Sequence, residues 1–113
     1  MKKMLAVAAL ACALLAAPAD AQQSPDASQA QDLSLCAGAV AAVGNLDILN
    51  YPRGASGEWG PVLGRILERL NREEGVEGMT GRYAANAAKE YWGDQSSSER
   101  QAAATACRER YAG

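Results

Sequence analysis

Pro61-Val62-Leu63-Gly64-Arg65-Ile66-Leu67-Glu68-Arg69-Leu70-Asn71-Arg72-Glu73 is the stretch whose pattern decides the class of fold. On a helix of 3.6 residues per turn, Val62, Leu63, Ile66, Leu67 and Leu70 gather into one stripe, while Arg65, Glu68, Arg69, Arg72 and Glu73 take the other side. Proline is favoured in a first helical turn, Glu68 and Arg72 form a well-oriented i,i+4 pair, and Gly75 is the expected stop. A helix with one apolar stripe must lay it on other elements. The flanking sequence supplies three.

Upstream, from about Ala30, Leu33, Cys36, Val40 and Val43 recur at helical spacing, and Leu35, Ala39, Ala42, Leu46 and Leu49 form a second row beside them. A helix apolar on two rows is largely buried, and Gly38 with its neighbouring alanines lets another backbone come close. Its end is expected near Asn50, because Pro52 disfavours helical torsions at Tyr51. Downstream, Thr80 is placed as the N-cap of a third helix that Gly93 closes. Two rows run along it, Tyr83, Ala87 and Tyr91, then Ala84, Ala88 and Trp92; Arg82, Tyr83, Tyr91 and Trp92 could form a second partner-contact cluster, but the tyrosines are expected to fill the core. Ser96 and Glu99 have the spacing of a capping box, opening a fourth helix that runs to about Ala112 with Ala103, Cys107 and Tyr111 inside. No stretch alternates as a half-buried strand does. The chain therefore reads as all-α, a small four-helix bundle or an orthogonal four-helix domain.

The cysteines fit that architecture. An antiparallel bundle sets the first helix beside the last, so Cys36 and Cys107 meet, with Val40 near Ala103 and Val43 near Arg100. One disulfide closing a loop of roughly 70 residues stabilises a domain by about 4 kcal/mol on the entropic account. A redox couple and an intermolecular bridge are the rival uses, and the absence of a Cys-x-x-Cys spacing weighs against the first.

An oxidising compartment is also what the first residues imply. Met1-Lys2-Lys3 is a positive start, Met4 to Ala17 an apolar run, and Ala19-Asp20-Ala21 a small-residue cleavage site, so residues 1–21 read as a signal peptide cut after Ala21. Pro18 closes the apolar run short of the roughly 20 residues that span a bilayer, and no later segment reads as transmembrane. The alternative is a lipoprotein anchored at Cys12, against which the apolar residues after Cys12 argue. Residues 22–29, polar and containing Pro25, read as a flexible tether, and 30–113 as a single helical domain. The expected address is the periplasm of a Gram-negative bacterium.

Absences narrow the chemistry. With no histidine, the sequence lacks the commonest general base near neutral pH, His-activated nucleophiles and histidine-ligated metals. Both mature cysteines are assigned to the disulfide. No cofactor, metal or catalytic residue is assigned. A net charge of −2 offers no footprint for nucleic acid. Glu73, Glu74, Glu58, Glu77 and Glu90 read as surface charge, with a carboxylate-based enzyme acting on cell-wall glycan as the minor alternative.

The most individual segment is Tyr51-Pro52-Arg53-Gly54-Ala55-Ser56-Gly57-Glu58-Trp59. Tyr51, Arg53 and Trp59 are residue types enriched where proteins grip partners, and they form the candidate binding site. The other reading has Tyr51 and Trp59 folding back to cap the bundle. The function expected is a non-enzymatic protein-binding module of adaptor, inhibitor, immunity or chaperone-like kind, its partner another envelope protein. A carrier of a small apolar ligand, held in room left by the alanines and glycine of the first helix, is the alternative.

Overall fold

The computed structural model describes residues 25–112. The expected signal peptide and Cys12 lie outside the described residues. Four helices, α1 (Pro25–Gly44), α2 (Trp59–Leu70), α3 (Met79–Gly93) and α4 (Ser97–Tyr111), follow one another with no strand among the described residues. Pro25 opens α1, so the helix begins within the stretch read as a tether; proline suits a first helical turn.

α1 ends six residues before the position expected from Pro52. Asn45 takes a left-handed conformation, φ 55°, and the Leu46 amide donates back to the Ala41 carbonyl at 2.9 Å. These are the marks of a Schellman stop, which asparagine supports almost as glycine does. Leu46 and Leu49 are thus not on the helical row they seem to extend. Leu46 and Ile48 reach the core from the loop instead, 3% and 0% exposed.

α1 is buried almost all round, with Leu33, Cys36, Ala37, Ala39, Val40 and Ala41 in the core. It packs against all three other helices, most extensively against α3, whereas α2 meets α3 and α4 at few points. α2 lays the predicted stripe, Val62, Leu63, Ile66, Leu67 and Leu70, inward together with Trp59, a loop residue on the sequence reading, and gives way to a turn at Asn71 before Gly75 is reached. The Glu68–Arg72 pair forms at 3.7 Å with both side chains exposed, which makes it worth little.

α3 departs further from expectation. Its N-cap is Gly78, at φ 61°, a conformation open to glycine, and Thr80 lies inside the helix. The inward residues are Gly81, Ala85 and Ala88, while the Tyr83 and Tyr91 side chains turn outward, 59% and 52% exposed. Gly38 is the reason. A Cβ added there would lie 2.5 Å from the Ala88 Cβ and 2.5 Å from the Lys89 amide nitrogen, so α1 and α3 approach nearly backbone to backbone. Only small residues fit between them.

α4 opens with the predicted capping box, Glu99 N–H donating to Ser96 Oγ at 3.1 Å and Ser96 N–H to Glu99 Oε1 at 3.3 Å. Ala104 and Cys107 are its buried residues, with Ala103 and Tyr111 at the margin of the core. Cys36 and Cys107 are bonded, with Cα atoms 5.4 Å apart. The staple joins α1 to α4, as the bundle reading requires.

Candidate protein-binding faces

Two cations of α3 hold the segment from Leu46 to Tyr51 that leads into the Tyr51–Trp59 loop. Arg82 Nη1 donates to the carbonyls of Ile48, at 3.1 Å, and Tyr51, at 2.7 Å, and Lys89 Nζ donates to that of Leu46 at 2.6 Å. Asp47 organises the turn between them, accepting from the Leu49 and Asn50 amides and from the Asn50 side chain at 2.8 Å. That side-chain bond, the two amides and the charge of Lys89 hold the exposed Asp47 carboxyl below its ordinary value.

The three candidate residues of the loop have different fates. Trp59 is buried, 7% exposed, its Cβ set against Gly44 and the Arg108 guanidinium 4.6 Å from its ring centre. Arg108 also reaches Glu58 at 3.9 Å. Tyr51 is half-buried, its hydroxyl donating to the Gly60 carbonyl at 2.9 Å and occupying the space that a side chain at Gly64 would need. Arg53 is exposed. Of the two readings of this loop, burial gives Trp59 to the cap and leaves Arg53 at the surface, with Tyr51 between.

For the second cluster, Arg82, Tyr83, Tyr91 and Trp92, the structure puts both tyrosines at the surface and not in the core. Along α3, Tyr83, Ala84, Ala87 and Tyr91 are all exposed, and no charged residue interrupts the row from Tyr83 through Ala87 to Tyr91. Beside it Leu35 is 46% exposed, and Trp92 bridges the two helices by donating Nε1–H to the Leu35 carbonyl at 3.1 Å. Tyr91 meets Trp92 edge to face at 5.0 Å. A groove of about 680 Å³ runs between α1 and α3, lined by Ser34, Leu35, Val76, Ala84, Ala87 and Ala88, with Glu74 at one end. The signal that could have found this face is the small row Gly81, Ala85 and Ala88. Matched to Gly38, it fixes which side of α3 is inward and sends the tyrosines out.

The room that Gly38 was expected to leave for a ligand is taken by the α3 backbone. A different groove, about 480 Å³ and open to solvent, lies between α2 and α3 and is lined by Tyr51, Leu67, Met79 and Arg82 among others.

The disulfide pole is closed by a polar network. Arg110 Nη2 donates to both oxygens of Asp32 at 3.2 and 3.1 Å and lies 3.1 Å from Cys36 Sγ. The Tyr111 hydroxyl donates to Asp32, accepts from Gln29 Nε2 at 3.4 Å, and the Arg69 guanidinium sits 5.1 Å from its ring centre. Burial, then the hydrogen bond and charge of Asp32, push the Tyr111 hydroxyl above its ordinary value against the opposing pull of Arg110.

Among the carboxylates, Glu58 faces Arg108, Glu77 accepts from the Gly75 amide at 3.1 Å, Glu73 is half-buried, and Glu74 and Glu90 are exposed. Among the described residues no group of three His, Cys, Asp or Glu side chains is placed to hold a metal ion, and no helix is long and apolar enough to cross a membrane. No protein-family model, curated protein or solved structure matches this chain. What the two surfaces do is therefore argued from their own chemistry.

Proposed function

We propose that this chain is a small exported, non-enzymatic protein-binding module of the bacterial envelope, and that it docks through the α1–α3 face rather than through Trp59. The observation that carries the reading is the exposed row Tyr83, Ala87 and Tyr91 with Leu35 beside it. Tyrosine offers apolar area with a polar tip at low entropic cost, which is why it is enriched at interfaces. Alanine between two tyrosines leaves a shallow seat for a partner's side chains, the arrangement by which a groove accepts a helix. Export is supported by the pattern of residues 1–21 and by the disulfide, which persists in an oxidising compartment.

The test is photo-crosslinking in cells from a probe at Ala87, with probes at Arg53 on the loop and Arg69 on the outer side of α2. A discrete protein adduct from Ala87 and not from Arg69 supports the face. An adduct from Arg53 alone returns the site to the loop, and none from any position overturns the protein-binding reading.

A further inference from the structure

The exposed row of α3 has an internal symmetry: Tyr83 lies four residues before Ala87 and Tyr91 four after it, so the row reads alike in both directions. We propose that this face pairs antiparallel with the same face of a second copy of this chain, about a two-fold axis through Ala87. The proposal rests on the reading of the α1–α3 face as a docking surface and names its occupant.

Residues four apart lie on one side of a helix. In the antiparallel register centred on Ala87, Tyr83 of one copy therefore meets Tyr91 of the other, and the two Ala87 methyl groups face each other on the axis. A methyl-to-methyl contact at the crossing permits the short end of the 8–10 Å range of helix separations, which brings the flanking tyrosines into reach. The same patch serves both copies, as a closed two-fold interface demands.

Charge selects this direction over the parallel one. Centred on Ala87, the antiparallel register opposes Glu90 to Ala84 and Asp94 to Thr80, so no like charges face each other. A parallel pairing sets Glu90 beside Glu90 and Asp94 beside Asp94, which is repulsive.

The area sets the strength. The exposed halves of Tyr83 and Tyr91, with Ala84, Ala87 and part of Leu35, amount to roughly 400 Å² per copy if a whole aromatic side chain offers about 200 Å². That is roughly 800 Å² in total, below the ~1,200 Å² of a standard stable interface. The dimer is accordingly weak and reversible, and it forms where the chain is concentrated.

Register makes it testable. With the native disulfide already formed, Ala87→Cys protein is oxidised at about 100 μM, and Ser56→Cys protein, whose thiol sits on the exposed loop, measures random collision. Thiols held together in a complex meet at millimolar effective concentration, so A87C is expected to crosslink about tenfold or more faster than S56C. Sedimentation velocity of the unmodified protein should show association that rises with concentration and is lost in Ala87→Glu, an exposed change that leaves the helical circular dichroism intact. A monomer at every concentration, with A87C crosslinking no faster than S56C, overturns the proposal. If the Ala87 probe then still captures another protein in cells, the docking face stands and only its occupant is wrong; if it captures nothing, both fall.

Discussion

Gly38 of α1 and Ala88 of α3 leave no room for a side chain between them: a Cβ on Gly38 would stand 2.5 Å from the Ala88 Cβ. This contact orients α3, and through it the placement of both tyrosines.

Gly38→Ala is therefore expected to destabilise the fold although alanine is the better helix former. The propensity gain is up to about 1 kcal/mol. The added methyl meets the Lys89 backbone as well as Ala88, so the helices must part, at an overpacking cost of about 1–3 kcal/mol. The net expectation is a loss of up to about 2 kcal/mol, larger for Gly38→Val. Gly93→Ala, where nothing lies within 4 Å of the added carbon, should be neutral or gain a few tenths of a kcal/mol. Urea unfolding of the three variants checks the contrast, and a stabilised Gly38→Ala would refute the close approach.

Replacing Cys36 and Cys107 together by alanine opens a cross-link spanning 71 residues of sequence. The loss is expected at about 4 kcal/mol, enough to leave a domain of this size marginal at 37 °C. Thermal melting with and without reductant measures it on the unmodified protein. Equal melting temperatures would show that the staple adds nothing.

Arg82→Met keeps the aliphatic stem and removes the donors to the Ile48 and Tyr51 carbonyls. A loss of about 1–3 kcal/mol follows from leaving those partly buried acceptors without their charged donor. Cleavage within residues 45–58 by a protease of broad specificity should quicken in parallel. Unchanged cleavage would mean that the loop is held by something other than α3.

Tyr111 gives an alkaline signature. Its folded value is raised, so the neutral hydroxyl is the form the fold favours. The stability it contributes is full below the ordinary tyrosine value of 10.0 and is lost as pH rises through the higher folded value. Tyr111→Phe should be less stable than the unmodified protein at pH 8 and should lose less on going to pH 11. Denaturant midpoints at the two pH values decide it, and parallel losses in both proteins would remove Tyr111 from the account.

Trp59 and Trp92 separate by fluorescence. A Trp92→Phe protein reports Trp59 alone, and its emission is expected to be blue-shifted and poorly quenched by acrylamide, since the ring is buried beneath Arg108. Water-exposed emission from it would restore Trp59 to the binding loop.

What could be read from the sequence was what is local. The α2 stripe depends on spacing alone, and the Ser96–Glu99 box on two residues three apart, so both survive folding unchanged. The disulfide followed from topology once Cys12 was assigned to the signal peptide, which left two cysteines to pair. The end of α1 was obscured because Pro52 is a conspicuous breaker, whereas the stop that wins, Asn45, needs one residue in a left-handed conformation and a hydrogen bond back to Ala41. The orientation of α3 was hidden for a different reason. Hydrophobicity ranks tyrosine above glycine for the core, but the interior here is set by the separation of two backbones, and that separation is known only when Gly38 is seen against Ala88. The exposed row of tyrosines is the residue of that competition.

Because every other described helix leans on α1, the first of the described helices is covered by helices that come later, the last of them α4. A chain made from its N-terminus thus carries Leu33 and Val40 uncovered until the later helices arrive, and a free Cys36 thiol until Cys107 follows. It cannot settle helix by helix as it appears. Its vulnerable moment is the interval before that last helix arrives, when a partly covered helix and an unpaired thiol are open to misjoining.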